Sequence, residues 1–183
     1  MKIWMQCVTA ILGVFILLCI CTTEASAKTS YIHNAKYSYS YYLDLDMGTS
    51  VKESNFRYEY AKNTKEGTMW MLSSAMGGSF TYEKQTATGY YEWQTIKSKL
   101  LALPVKKNKQ WTTTNSYDEN EIRKIISTKT NAKTPYKTFT NAVKVQIGKA
   151  SAKHYDYFVG GYGKVLETKN GKIKYQLIQR YND

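Results

Sequence analysis

Cysteine stops at residue 21. Cys7, Cys19 and Cys21 are the only three in the chain, so nothing from residue 22 onward can form a disulfide. A fold built from that remainder is held by packing or by binding rather than by covalent staples. Long apolar runs are equally scarce. The one candidate, Ile11 to Ile20, is shorter than a comfortable membrane span. It follows Lys2 and precedes Ala25-Ser26-Ala27, the order of a secretory leader with a small-residue cleavage site. The expectation is a signal peptide over residues 1–27, removed on export, with no stable transmembrane insertion of the mature chain. Leu18 stands at lipidation spacing before Cys21, but Ile20 fills the position where a lipoprotein peptidase takes a small side chain.

Acidic residues are in deficit: 14 Asp and Glu face 26 Lys and Arg, for a net charge of +12. Residues 1–27 hold one base, Lys2, and one acid, Glu24, so the whole excess belongs to the mature chain. Such a balance attracts anionic partners and speeds encounter. It does not select among nucleic acid, acidic wall polymer, anionic lipid or protein.

Catalytic signatures are also missing. His33 and His154 are the only histidines and stand far apart, and no serine occupies a Gly-x-Ser-x-Gly elbow. Gly160-Gly161-Tyr162-Gly163 lacks the lysine and hydroxyl residue of a phosphate-binding loop, so its glycines read as a bulge or a tight change of direction. Asp44 and Asp46 point to one side of a strand end without a companion set for a metal. His154 and Asp156 share a strand face and could pass a proton, though a structural polar edge is the simpler account. The sequence therefore assigns no catalytic residue, no metal ligand and no cofactor. Nucleic acid is a partner class without a recognition helix or zinc-finger pattern to point to it.

What the chain does contain is alternation. Residues 28–35 lack periodicity and read as a flexible amino-terminal tail, which leaves residues 36–183 as one β-rich extracellular domain. Tyr37, Tyr39, Tyr41, Leu43 and Leu45 fall on one face of a strand, a row that suits a core rim or a ligand platform. Short strands follow around Phe56, Trp70, Phe80 and Tyr90, the last with aromatic residues on both faces, and Pro104 ends the next. The tract from Asp118 to Ser127 fits two states. As a helix it would be capped by Asp118 with Ile122, Ile125 and Ile126 as its stripe; as a strand it would extend through the same isoleucines. Phe139, Val143, Val145 and Ile147 share a face further on. Lys164 to Tyr181 reads as a hairpin around Asn170-Gly171, a pair that takes the left-handed torsions of a two-residue turn. The expected fold class is mainly β: a single antiparallel β-sheet domain, as a curved sheet or open barrel, with at most one short helix.

Three segments carry a resemblance: Leu103-Pro104 ahead of Trp111, Thr134-Pro135-Tyr136-Lys137-Thr138-Phe139 running into Val143 and Val145, and Tyr155 to Val165 with its glycine-rich centre. Together they resemble a broad group of exported β-rich proteins and lipoproteins of Gram-positive bacteria, in which Thr-Pro-Ala-Gly-Thr-Phe leads into a strand and a tyrosine-containing strand enters Gly-x-Gly-x-Val. Tyr136 and Lys137 replace the small residues of that pattern. The resemblance spans Leu103 to Tyr181 and implies an antiparallel extracellular domain without assigning an activity.

Charge and aromatic content together suggest a noncatalytic secreted or cell-envelope-associated binding protein, in which lysines capture a partner and aromatic side chains hold it. The candidate contacts are Tyr42, Tyr90, Lys144, Lys172, Lys174 and Arg180. The expected partner is an anionic envelope polymer or an extracellular protein. The alternatives are an extracellular hydrolase, a secreted inhibitor or immunity-like protein, and a structural matrix component.

Overall fold

The computed structural model describes residues 29–44, 53–75, 77–115 and 117–182. The expected signal peptide of residues 1–27 with its three cysteines, Asp46 and the expected loop at 47–50 lie outside the described residues. Twelve strands account for most of the rest: β1 (Tyr37–Asp44), β2 (Glu53–Asn63), β3 (Thr68–Ser74), β4 (Gly77–Gln85), β5 (Gly89–Trp93), β6 (Ser98–Ala102), β7 (Gln110–Thr114), β8 (Asn120–Lys133), β9 (Thr138–Ile147), β10 (His154–Val159), β11 (Gly163–Lys169) and β12 (Lys172–Asn182). A single 3-10 turn, Ala150–Ala152, is the one helical element among the described residues.

The strands form one antiparallel sheet in the order β6-β5-β4-β3-β2-β1-β12-β11-β10-β9-β8-β7. Consecutive strands pair throughout except β6 and β7, and β1 also pairs with β12, which joins two meanders through the two ends of the chain. The free edges, β6 and β7, face each other across a seam. In place of a ladder, side chains close it: Lys99 N–H donates to Thr113 Oγ1 at 2.7 Å, and Trp111 Nε1 donates to the Lys99 carbonyl at 2.9 Å. The sheet is thus a nearly closed barrel, in which such bridging satisfies edge groups that an open sheet would leave available for aggregation.

The period-2 pattern decides which side chains fill it. Tyr39 and Tyr41 point inward from β1 and are fully buried with Tyr58, Trp70 and Tyr175, the aromatic half of the core. Leu101, Ile125, Val145 and Phe158 make the second half beside the seam. Burying each such side chain contributes roughly 1.5–3 kcal/mol. The β11–β12 turn is as the sequence suggests, with Asn170 at φ 53° and Gly171 at φ 78°. The ambiguous tract resolves as a strand: β8 turns Arg123 and Ile125 inward and leaves Ile122 half exposed. The helical stripe loses because barrel closure needs alternate residues, not every third and fourth, on the inner face.

The amino-terminal segment departs from expectation. Residues 29–36 are docked as a plug in one end of the barrel rather than left as a flexible tail. Gly161 N–H donates to the Ser30 carbonyl at 2.8 Å, Tyr31 N–H to Gln85 Oε1 at 2.7 Å, and Asn34 N–H to the Gly161 carbonyl at 3.1 Å. Tyr31 and His33 are buried. A plug alternates with neither strand nor helix period, so only the partners in the barrel reveal it.

Candidate functional site

The end of the barrel opposite the plug is hollow. A cavity of about 500 Å³ opens between the β5–β6 and β7–β8 connections and the starts of β8 and β10. Trp93 and Tyr117 stand among its lining residues, and its inner wall carries Glu92, Glu121, Arg123, His154, Asp156, Lys164 and Glu167. Four carboxyl groups against Arg123 and Lys164 give this lining a formal charge of −2 with His154 neutral. The cavity therefore opposes the +12 of the whole chain.

Four strands supply these groups. β10 contributes His154 and Asp156, two residues apart and hence on one face. β11 lies alongside, and Asp156 sits directly opposite Glu167. Lys164, three residues before Glu167, would point outward in a regular strand. The register slips between Tyr157 and Phe158, so that β11 has one extra residue there and Lys164 returns to the inner face. From β8 come Glu121 and Arg123, and from β5 comes Glu92.

Ion pairs knit the wall together. Lys164 Nζ lies 2.7 Å from Glu167 Oε2 and 3.7 Å from Asp156 Oδ1. His154 Nε2 lies 2.9 Å from Glu167 Oε1. Arg123 reaches Glu121 at 2.6 Å and Asp156 Oδ2 at 3.0 Å. Asp156 is 1 % exposed, and its Oδ1 is a buried oxygen without a hydrogen-bond partner. Such an oxygen in a polar cavity is a place for a donor from outside the chain.

The facing carboxyl groups are pushed in opposite directions. Burial raises Asp156 above the usual carboxylate range, and the charge of Lys164 only partly offsets this. Burial pushes Glu167 the same way, but the charge of Lys164 and the hydrogen bonds from His154 and Lys164 outweigh it and hold Glu167 well below that range. Glu92 is raised by burial and by the charge of Glu83. A depressed carboxylate stabilises the fold above its unfolded value, because below that value the unfolded chain binds the proton first. The contribution of Glu167 is therefore lost as the pH falls from about 4.3 through its lower folded value. In urea titrations across that window, Glu167→Gln is expected to show a shallower acid loss of stability than the parent. Identical pH slopes would contradict the assignment.

Among the described residues no three His, Asp or Glu side chains converge as a metal-ligand set. The six contacts expected from sequence do not converge either. Alternation turns Tyr90 inward, where it is fully buried and donates to Glu83 instead of facing the surface. Tyr42 pairs across the sheet with Asn55 and Gln176. Lys144 lies along the aromatic wall of β10, 4.0 Å from the Tyr155 ring centre. Lys172 is exposed at the β11–β12 hairpin, and Lys174 is bound to Asp44 at 2.7 Å. Arg180 sits at the plugged end. Asp44 is engaged by that lysine and is not among the residues lining the cavity. Of the paired acids and histidine considered for catalysis, His154 and Asp156 do meet at the cavity. Their neighbours Glu92, Arg123, Lys164 and Glu167 carried no motif, and only the strand order reveals them.

No family model and no curated protein matches the chain. Two solved structures are similar to it at low identity. One, from Bacteroides fragilis and assigned as an exported protein with a YMCC-like fold, is 9% identical with a TM-score of 0.49, covering 84% of this chain and 99% of that one. The other, from Parabacteroides distasonis and assigned as a lipoprotein, is 11% identical with a TM-score of 0.43, covering 83% of this chain and 98% of that one. Neither likeness assigns a residue or a ligand here.

Proposed function

We propose that the protein is an exported, noncatalytic binding protein of the cell envelope, and that its barrel cavity holds a sugar-like segment of an envelope polymer. The leader pattern of residues 1–27 and the lack of cysteine beyond residue 21 support the extracellular setting. Asp156 carries the reading of the site. Its buried Oδ1 beside the cavity has the Lys164 ammonium at 3.7 Å but no hydrogen bond, which a ligand hydroxyl can supply. Trp93 and Tyr117, also lining the cavity, offer rings to the apolar face of a pyranose, while the carboxylate excess disfavours an anionic group inside it.

Calorimetric titration of the mature chain with neutral envelope glycan fragments tests this. The Asp156→Asn variant is expected to bind about tenfold more weakly, the equivalent of one charge-assisted hydrogen bond. Lys144→Gln, on the outer wall, should leave affinity within about twofold. Binding that tolerates Asp156→Asn but is lost with Lys144→Gln would move the site to the outside of the barrel. A hydrolytic reading has one observation in its favour: a raised carboxyl faces a depressed one across β10 and β11. New reducing ends from the same glycans, absent with Glu167→Gln, would establish it in place of simple binding.

A further inference from the structure

Bases outnumber acids in this chain, 26 to 14, so most cations face solvent without a carboxylate. Arg57, Arg123, Lys164 and Lys174 each lie against a carboxylate. Lys137 and Arg180 at the plugged end are set apart by converging on one another. Neither has a carboxylate partner among the described residues, yet both reach the same atom. Arg180 Nη1 donates to Tyr162 Oη at 2.8 Å, and Lys137 Nζ donates to it at 3.1 Å. The two cationic nitrogens are therefore no more than 5.9 Å apart, the sum of those two legs. Like charges at that separation repel each other unless an anion joins them.

Aromatic rings hold the pair in place. The Arg180 guanidinium lies 3.8 Å from the Tyr37 ring centre and 5.1 Å from that of Tyr162. Lys137 Nζ lies 4.8 Å from the centres of both Phe139 and Tyr162. The turn that presents Lys137 is itself fixed, since Thr134 N–H and Oγ1 both donate to the Lys137 carbonyl, at 3.1 and 3.0 Å. The phenol oxygen accepts from two cations at once, which fills its lone pairs and leaves its proton to be donated. An ammonium, a guanidinium and a phenol O–H thus meet at one place, with donors to spare and no carboxylate supplied by the described residues.

We propose that Lys137, Tyr162 and Arg180 form a second binding site, an oxyanion cradle that takes a phosphate or carboxylate group displayed along an acidic polymer. The cradle lies at the opposite end of the barrel from the cavity and stands without it. Its ligand class is the reverse of the cavity's: anionic at the plugged end, neutral and hydroxylated at the open end. A polymer with both kinds of unit would be held at two points.

Equilibrium binding of polyphosphate and of polygalacturonate to the mature chain at about 0.15 M salt, where bare surface attraction is largely screened, tests the cradle. At least one polymer is expected to bind, and which one does identifies the anion as phosphate or carboxylate. The double variant Lys137→Gln/Arg180→Gln should lose about tenfold or more in affinity. Lys149→Gln/Lys169→Gln, an equal charge change at the far end of the barrel, should stay within about twofold. The charge-preserving Lys137→Arg should retain most of the affinity. Tyr162→Phe keeps the ring that packs against Phe139 and removes only the hydroxyl, so it gives an answer even where the double variant folds poorly; several-fold weaker binding is expected. Binding of neither polymer, equal losses in the two double variants, or full affinity in Tyr162→Phe would each overturn the proposal.

Discussion

Replacing His33 with alanine is expected to destabilise the barrel by about 3–5 kcal/mol, because the buried Glu83 carboxyl loses its hydrogen-bond partner and a void opens among aromatic rings. His33 Nδ1 lies 2.6 Å from Glu83 Oε1, and both side chains are almost wholly shielded from water. Its backbone N–H donates to Glu83 Oε2 at 3.1 Å, and Nε2 meets the Tyr41 hydroxyl at 2.5 Å. Tyr90 adds its own hydrogen bond to Glu83. Burial pushes the Tyr41 and Tyr90 hydroxyls well above their ordinary titration range, so both remain protonated donors at ordinary pH. The imidazole is also enclosed by rings: Tyr39 and Trp70 edge-on, at 4.7 and 5.5 Å between ring centres, and Tyr58 stacked at 5.3 Å. Alanine there leaves a void among aromatics and strips Glu83 of its ring partner. Denaturant unfolding measures the loss, and proteolysis near residue 30 should quicken as the plug loosens. A change under about 1 kcal/mol, with the plug still protected, would mean that residues 29–36 merely rest on a barrel stable without them.

His33 shows where sequence reading of this chain gives out. A strand announces its inner face by alternation, so Tyr39, Tyr41, Val143 and Val145 are readable as core without coordinates. A tight turn announces itself by the torsions of Asn170 and Gly171. Residues 29–36 have no period of their own, and their order comes largely from Glu83, Gln85 and Gly161, 50 or more residues away. The cavity follows the same logic. His154 and Asp156 are legible as neighbours on one face, but Glu92, Arg123 and Glu167 join them only through the strand order, which the alternation leaves open. Lys164 is further hidden, because the extra residue in β11 reverses the face that simple counting would give it. The oxyanion cradle was half visible. Arg180 stands out as a candidate contact, whereas Lys137 and Tyr136 stand out only as large residues where the resembling group has small ones.

Gly163→Ala is expected to lower stability by about 3–4 kcal/mol, from two separable causes. The first is torsional: Gly163 has φ 62°, where a Cβ costs roughly 1–2 kcal/mol. The second is steric. A Cβ at this position would lie 2.6 Å from His33 Cε1, 3.0 Å from His33 Nδ1 and 3.1 Å from the Tyr90 hydroxyl. The ring that must move is the one bound to Glu83 and Tyr41, so the clash is transmitted to the buried network rather than absorbed by a flexible side chain. Gly171→Ala separates the causes. Its φ is 78°, but an added Cβ meets nothing within 4 Å, so it should show the torsional part alone. A second comparison isolates the contact. In a His33→Ala background both imidazole contacts beside Gly163 are gone and only the Tyr90 hydroxyl stays near, so the added methyl should cost little more than Gly171→Ala does. The two substitutions would then be less than additive by about 1–3 kcal/mol, the range for residues in direct contact. Strict additivity would mean that Gly163 is needed for its torsion only. Non-additivity would show that the β10–β11 glycine loop and the amino-terminal plug are shaped against each other, which gives the glycines of residues 160–163 a structural reason to be there in place of a nucleotide.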